Sequence, residues 1–445
     1  MVNDLKDLMR QNVAAPPHDD LDLTALVGAG RRRAHRRRTA LAGVAAGVVA
    51  GVLVGGAALT GVGPGTGTDQ PGVADQLPTP DAPVIRLTDA EPAVDGTDYR
   101  VLASYTNENL NRDNGQYFDG VTSDGLILFR DGPRTDQLDA RYALMDPATG
   151  AKDWLPDSPV GGAQAWAADL GTERLVLVGT GDGAGNGLIA YVFDRTTGQW
   201  STVQWPTLPK VDFPRVTPGP EGRLYVLTPA TLGRVPEGGW PVGPDGEADD
   251  ADYEGDTYHL WSVSPTDPAD VRDEDLTVGD VAFTDTAMVW TDRTGDAGMV
   301  HVRDLATGEE TSFDPNSGEK CNLLAFGATG DRIMMSQYCG TYAGGVRDDR
   351  VQILSTDGEQ VATLQDDGVD GWLPAGSDVV HVSVFYGKRS GTYAYDLATD
   401  RFLRVSDAVS SYGLGGPTGD DRQVLWHTPV NDRKGATQWL GELLG

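Results

Sequence analysis

The sequence predicts an all-β chain: a seven-bladed β-propeller, with six or eight blades as the adjacent solutions, preceded by a single transmembrane helix. Three observations predict it. A strand–turn–strand unit recurs six times between residues 142 and 402, and an incomplete seventh follows. The spacing of these units is that of propeller blades. One uncharged apolar run stands near the N-terminus, directly behind a block of arginines.

Residues 1–38 form a short basic stub, read as cytoplasmic. Leu5, Leu8, Met9 and Val13 are spaced for one face of a helix, a pattern found in segments that fold on a partner. Residues 3–27 are therefore a candidate contact for a cytosolic protein. The stub ends in Arg31, Arg32, Arg33, Arg36, Arg37 and Arg38. Cytoplasmic flanks carry excess Lys and Arg, so these side chains place the N-terminus inside and the bulk outside.

Residues 39–61 are the candidate span. Ala40 to Leu59 holds only Ala, Gly, Val and Leu, and about 20 such residues cross a hydrocarbon core. A cleaved signal peptide is the competing reading; 38 residues ahead of the run are long for one. Gly43, Gly47, Gly51 and Gly55 recur every fourth residue, a spacing that lets two helix backbones approach and makes a homodimer through the span a candidate. Residues 62–82 are Pro/Gly-rich and read as an extended linker.

Residues 83–445 are the expected extracytoplasmic propeller. The repeated unit is a strand ending in Asp or Ser, a short turn and a second strand, as in YALMDPATGAKDW and VHVRDLATGEETSF. Its anchors are Asp146, Asp194, Ser264, Asp304, Ser355 and Asp396, at intervals of 48, 70, 40, 51 and 41 residues. In Asp-x-x-Thr-Gly the carboxylate caps the turn and the Gly takes the left-handed position, so these acids are read as structural. The longest interval contains PEGGWPVGPDGEADDADYEGD (236–256), too polar to be core. The seventh unit, from Ser410, lacks one outer strand. Residues 83–88 (PVIRLT) are expected to supply it and close the ring.

The net charge is -31. Residues 1–63 hold eight Lys/Arg and five Asp/Glu, leaving 27 basic and 61 acidic residues beyond them. So acidic an ectodomain excludes nucleic acid as a partner. Cys321 and Cys339 flank LLAFGATGDRIMMSQY, a strand–turn–strand stretch turning near Thr329. Their positions fall opposite each other across that hairpin, in a compartment that permits a disulfide.

Catalytic motifs are missing: there is no G-x-S-x-G, no H-E-x-x-H and no phosphate-binding Gly loop. His259, His301, His381 and His427 stand alone in separate predicted strands. Asp250, Asp252 and Glu254 alternate before Gly255 like the first half of a calcium loop, but Trp261 stands where the twelfth-position acid belongs. They are the sole cofactor candidate, for calcium.

Two resemblances follow from these motifs. ALMDPATGAKDW resembles the quinoprotein-type propeller repeat, with Ala143, Asp146, Thr149, Gly150 and Trp154 in the matching places; Phe313 and Asp400 stand where later units would have Trp and Gly. This implies fold, not activity. LKDLMRQNVAAPPHDDLDLTALVGAGRRRAHRRR followed by the Ala/Gly/Val run resembles the N-termini of actinobacterial single-pass membrane proteins associated with sigma factors, without the zinc-binding motif of one class of them. The expectation is a membrane-anchored extracytoplasmic WD40-like or quinoprotein-like propeller that binds or senses a ligand or protein, linked to sigma-factor signalling. The alternative is an exported propeller enzyme: a lyase, a hydrolase or a quinoprotein-like dehydrogenase.

Overall fold

The structure, a computed structural model, describes residues 82–445 except 111–113, 135–138, 162–164, 181–186, 212–213, 235–241, 243–253, 342–344, 346 and 410–415. The stub, arginine block, glycine series, span and most of the linker lie outside the described residues, as do Asp250 and Asp252. Among the described residues no helix is long and apolar enough to cross a membrane.

Seven antiparallel sheets make a seven-bladed propeller. Each of blades 1 to 6 contributes four strands in chain order, running from the ring axis to the rim. Blade 1 is Asn114–Val121, Ile127–Arg134, Arg141–Met145 and Lys152–Trp154. Blade 2 is Ala165–Leu170, Arg174–Thr180, Leu188–Asp194 and Gln199–Gln204. Blade 3 is Arg215–Pro218, Leu224–Thr231, Thr257–Val263 and Val271–Val278. Blade 4 is Val281–Phe283, Ala287–Thr291, Val300–Asp304 and Glu310–Phe313. Blade 5 is Asn322–Thr329, Arg332–Thr341, Arg347–Ser355 and Gln360–Gln365. Blade 6 is Asp370–Trp372, Val379–Val384, Gly391–Asp396 and Arg401–Ser406.

Blade 7 closes the ring, and not with the expected residues. Its strands Gln423–Val430 and Gly435–Leu443 are completed at the rim by Tyr99–Asn107, which pairs antiparallel with Gly435–Leu443 from Tyr99–Leu443 to Asn107–Ala436. The segment expected to do this lies elsewhere: Val84–Ile85 pairs parallel with the outer strand of blade 5. Glu91–Pro92 then pairs parallel with the outer strand of blade 6. The physical reason is length. Nine alternating residues match the full ladder of the preceding strand, whereas the short run at 84–85 satisfies two positions and then turns. The entering chain is thus a strap over two rims, held by buried Leu87, by Arg86 Nη1 donating to the Gln365 carbonyl (2.8 Å), and by Arg401 against Asp98 (2.5 Å).

The core lies between blades. Leu128, Tyr142 and Leu144 of blade 1 pack on Leu175, Leu177, Ile189, Tyr191 and Phe193 of blade 2. Each fully buried side chain of this size contributes roughly 1.5–3 kcal/mol, so strand alternation into these seams drives ring assembly.

The repeated turns form as read. Asp146 Oδ1 accepts from the amides of Ala148 and Thr149, Asp194 Oδ1 from those of Thr196 and Thr197, and Asp304 Oδ1 from those of Ala306 and Thr307. Gly150, Gly198 and Gly308 sit at φ 68°, 68° and 74°. In the sixth unit Asp400 takes this position at φ 56°, and its carboxylate accepts from the Tyr395 hydroxyl at 3.0 Å. Cys321 and Cys339 form the expected disulfide (Cα–Cα 4.2 Å), one step beyond the Asn322–Tyr338 pair of the hairpin.

Candidate functional site

The inner strands of blades 1 to 6 all begin on one face of the ring. Their first residues, Asn114, Ala165, Arg215, Val281, Asn322 and Asp370, stand around one mouth of the central channel. The same face carries the hairpins between second and third strands of each of these blades.

Blade 4 sends its hairpin over this mouth. Gly295–Asp296 pairs antiparallel with the inner edge of blade 5, Gly295 with Leu323 and Asp296 with Asn322. The hairpin is locked from the blade 3 side: the Asp256 amide donates to Thr294 Oγ1 (2.7 Å), and the Thr294 amide to the Asp256 carbonyl (2.9 Å). Gly255 and Gly279 meet this hairpin backbone to backbone, with no room for a Cβ against Thr294 or Arg293.

Most charged groups here are closed into pairs. Arg215 pairs with Asp280 and lies 5.6 Å from the Tyr258 ring. Burial pushes the Asp280 carboxyl up while Arg215 pulls it back. Burial also pushes Tyr258 up, to about 12. On blade 5, Arg350 bridges Asp348 and Glu319 at 2.7 Å each, and Gln365 Nε2 donates to Asp348 at 2.6 Å. Arg347 lies 4.1 Å over the Tyr338 ring and pairs with Asp349 at 3.1 Å. Burial works against the Arg347 charge, and Asp349 more than offsets it. Such closed networks fix geometry; they leave no group free to take or give a proton to a substrate.

Besides the Asp296 carboxylate, which pairs with no described residue, three side chains at or near the mouth are not closed off. Trp166 and Leu324, both on inner strands, are 38% and 36% exposed. Asn322 is 6% exposed, and neither its Oδ1 nor its Nδ2 has a hydrogen-bond partner. Sequence reasoning missed all three. Leu324 lies in the interruption of the ladder between Leu323 and Ala325, which periodicity does not reveal.

The four histidines do not gather at one site, although His381 and His427 lie near enough for a charge on one to oppose a charge on the other. His259 contacts Asp273 and His301 contacts Asp292, each at 2.8 Å, on blades 3 and 4. His381 is buried against Trp372 on blade 6, and burial lowers it to about 3. His427, on blade 7, is lowered by burial to about 4. No group of three or more metal-ligating side chains occurs among the described residues. Of the calcium candidates Glu254 alone is described, and it is exposed.

A cleft of about 640 Å³ lies on the opposite face, at the rim between blades 1 and 2, lined by Leu126, Leu144, Leu155 and Phe193 with Asp146 and Arg195. Two of its charged groups have structural partners: Asp146 caps its turn, and Arg195 holds Asp124 through two bonds of 2.8 Å. Arg195 draws Asp124 down to about 2.

No protein-family model matches this chain, and no curated protein sequence does. Among solved structures it is similar to an oligogalacturonate lyase from Vibrio parahaemolyticus, at 13% identity and a TM-score of 0.46, over 78% of this chain and 98% of the lyase. It is also similar to a protein of Listeria monocytogenes at 10% identity and a TM-score of 0.42, over 73% and 97% of the two chains. A third is the acylaminoacyl peptidase of Pyrococcus horikoshii, at 12% identity and a TM-score of 0.40, over 68% of this chain and 47% of the peptidase. These likenesses assign no residue a role.

Proposed function

We propose that this protein is a tethered extracytoplasmic propeller that binds a ligand at the channel mouth on the hairpin face and serves as a sensing module. One observation carries the reading. At that mouth most charged groups are paired off, while Trp166, Leu324 and Asn322 present unspent apolar surface and hydrogen-bonding capacity. Such a mouth is equipped for recognition: apolar lining with a few convergent polar groups. A nucleophile beside a free base, as acyl transfer or hydrolysis requires, has no counterpart among these groups. Membrane anchoring through residues 39–61, an inside N-terminus and a sigma-factor partner for residues 3–27 belong to the same reading, and rest on the sequence.

A thermal-shift panel on the full chain in detergent tests it, with amino acids, small peptides, monosaccharides and divalent cations as probes. At least one class should raise the Tm of the wild type and not that of Trp166→Ala or Leu324→Ser. A shift that survives both substitutions puts binding elsewhere. Turnover of the stabilising compound would favour the exported enzyme instead.

A further inference from the structure

We propose that Asp296 and Asn322 together form an amine-reading subsite, which takes a primary ammonium group with a carbonyl oxygen next to it, as in a free amino-acid amide or a peptide N-terminus. The proposal rests on the channel-mouth reading above and names its ligand class.

The two residues are direct cross-strand partners where the blade 4 hairpin pairs with the inner strand of blade 5. Cross-strand partners point to the same face of a sheet with Cβ atoms about 4.5–5.5 Å apart. Asp296 is partly buried and has neither a hydrogen bond nor an ion pair from its carboxylate to any described residue. Asn322 is buried with both ends of its carboxamide unpartnered. An unmatched buried amide is destabilising. Both residues are held firmly: Asn322 follows Cys321 of the disulfide, and the hairpin bearing Asp296 is pinned through Thr294 to Asp256.

The donor and acceptor inventory selects the ligand. Asp296 offers a negative charge and acceptors only, while Asn322 offers one acceptor and two donors. An ammonium group can donate to Asp296 and to Asn322 Oδ1, while Asn322 Nδ2 donates to a neighbouring carbonyl oxygen. A carboxylate or phosphate ligand would face Asp296 with like charge. Leu324, further along the same inner strand, supplies an apolar neighbour for the rest of such a ligand. The surplus of acidic residues raises the local concentration of cations.

The test uses the full chain in detergent, with glycinamide as probe and N-acetylglycinamide, which lacks the ammonium, as control. Calorimetry should show glycinamide bound at least tenfold more tightly than the control. Asp296→Asn should weaken glycinamide at least tenfold with the Tm unchanged. Asn322→Leu should abolish binding while the Tm holds or rises, since it removes an unmatched polar group. Equal binding of the two compounds, or unchanged glycinamide affinity in both variants, overturns the proposal. So does a Tm several degrees lower in Asn322→Leu, which would mark its carboxamide as structural; should that variant not fold, Asp296→Asn decides. If glycinamide affinity falls only in Trp166→Ala, the channel-mouth reading stands and this pair is excluded from it.

Discussion

Arg130 Nε lies 3.3 Å from an Asp119 carboxylate oxygen, and that carboxylate, 3% exposed on the inner strand of blade 1, has no hydrogen-bond partner among the described residues. Burial pushes Asp119 up to about 6, and the Arg130 charge pulls it back. Asp119 is thus more readily protonated in the folded chain than in the unfolded one. Its favourable contribution is complete below the unfolded value of 3.8 and is lost as pH rises through 6. Removing the cation strands a buried charge at neutral pH but not in acid. Arg130→Met should cost about 3–5 kcal/mol at pH 7.5 and much less at pH 5. Urea unfolding at the two pH values measures this; an equal loss at both would show that Asp119 is not the strained partner.

His381 and His427 act in the opposite sense. Both are lowered from 6.5, to about 3 and about 4, by burial. Their stabilising effect is present above 6.5 and lost as pH falls through those values. His381→Phe keeps the ring against Trp372 and removes one of the two titrations. Acid unfolding of this variant should take up about one proton fewer than the wild type, and an unchanged slope of stability against pH would remove His381 from the account.

Ring closure separates the strap from the closing strand. A chain beginning at Tyr99 keeps the Tyr99–Asn107 ladder and loses the strap with buried Leu87 and Ala82. It should fold and lose about 2–4 kcal/mol. A chain beginning at Glu108 opens blade 7 and should lose most of the roughly 5–15 kcal/mol that holds a domain together. Denaturant titration of both chains distinguishes the two roles, and equal stability would contradict closure by this strand.

The disulfide closes an 18-residue separation, and loops of this size are stabilised by about 3 kcal/mol. Cys321→Ser with Cys339→Ser should lose about that much in urea. It should also weaken glycinamide binding, because Asn322 is the next residue. Full stability with weakened binding would leave the disulfide only the second of these roles.

What was legible in the sequence was local. The turn acids, the glycines after them and the disulfide could be read because each is fixed by residues within one hairpin. Asp146 and Asp304 needed only the amides two and three positions on. The closing strand could not be read that way. Its partner is more than 300 residues away, and nothing local to Tyr99–Asn107 marks it as the closing strand. The same holds for the mouth. Asp296 meets Asn322 through a two-residue ladder between neighbouring blades, and neither residue carries a motif. Trp166 belongs to no motif, and only the pairing of its strand with Arg174–Thr180 puts it on the inner edge of blade 2.

The most direct measurement is hydrogen exchange of the full chain with and without saturating glycinamide. Slowed exchange confined to residues 292–299 and 321–326, with the probe recovered chemically unchanged, is the result expected of a binding site at the channel mouth. Protection instead at residues 146–156 and 193–198, around the rim cleft, or conversion of the probe to product, would contradict it.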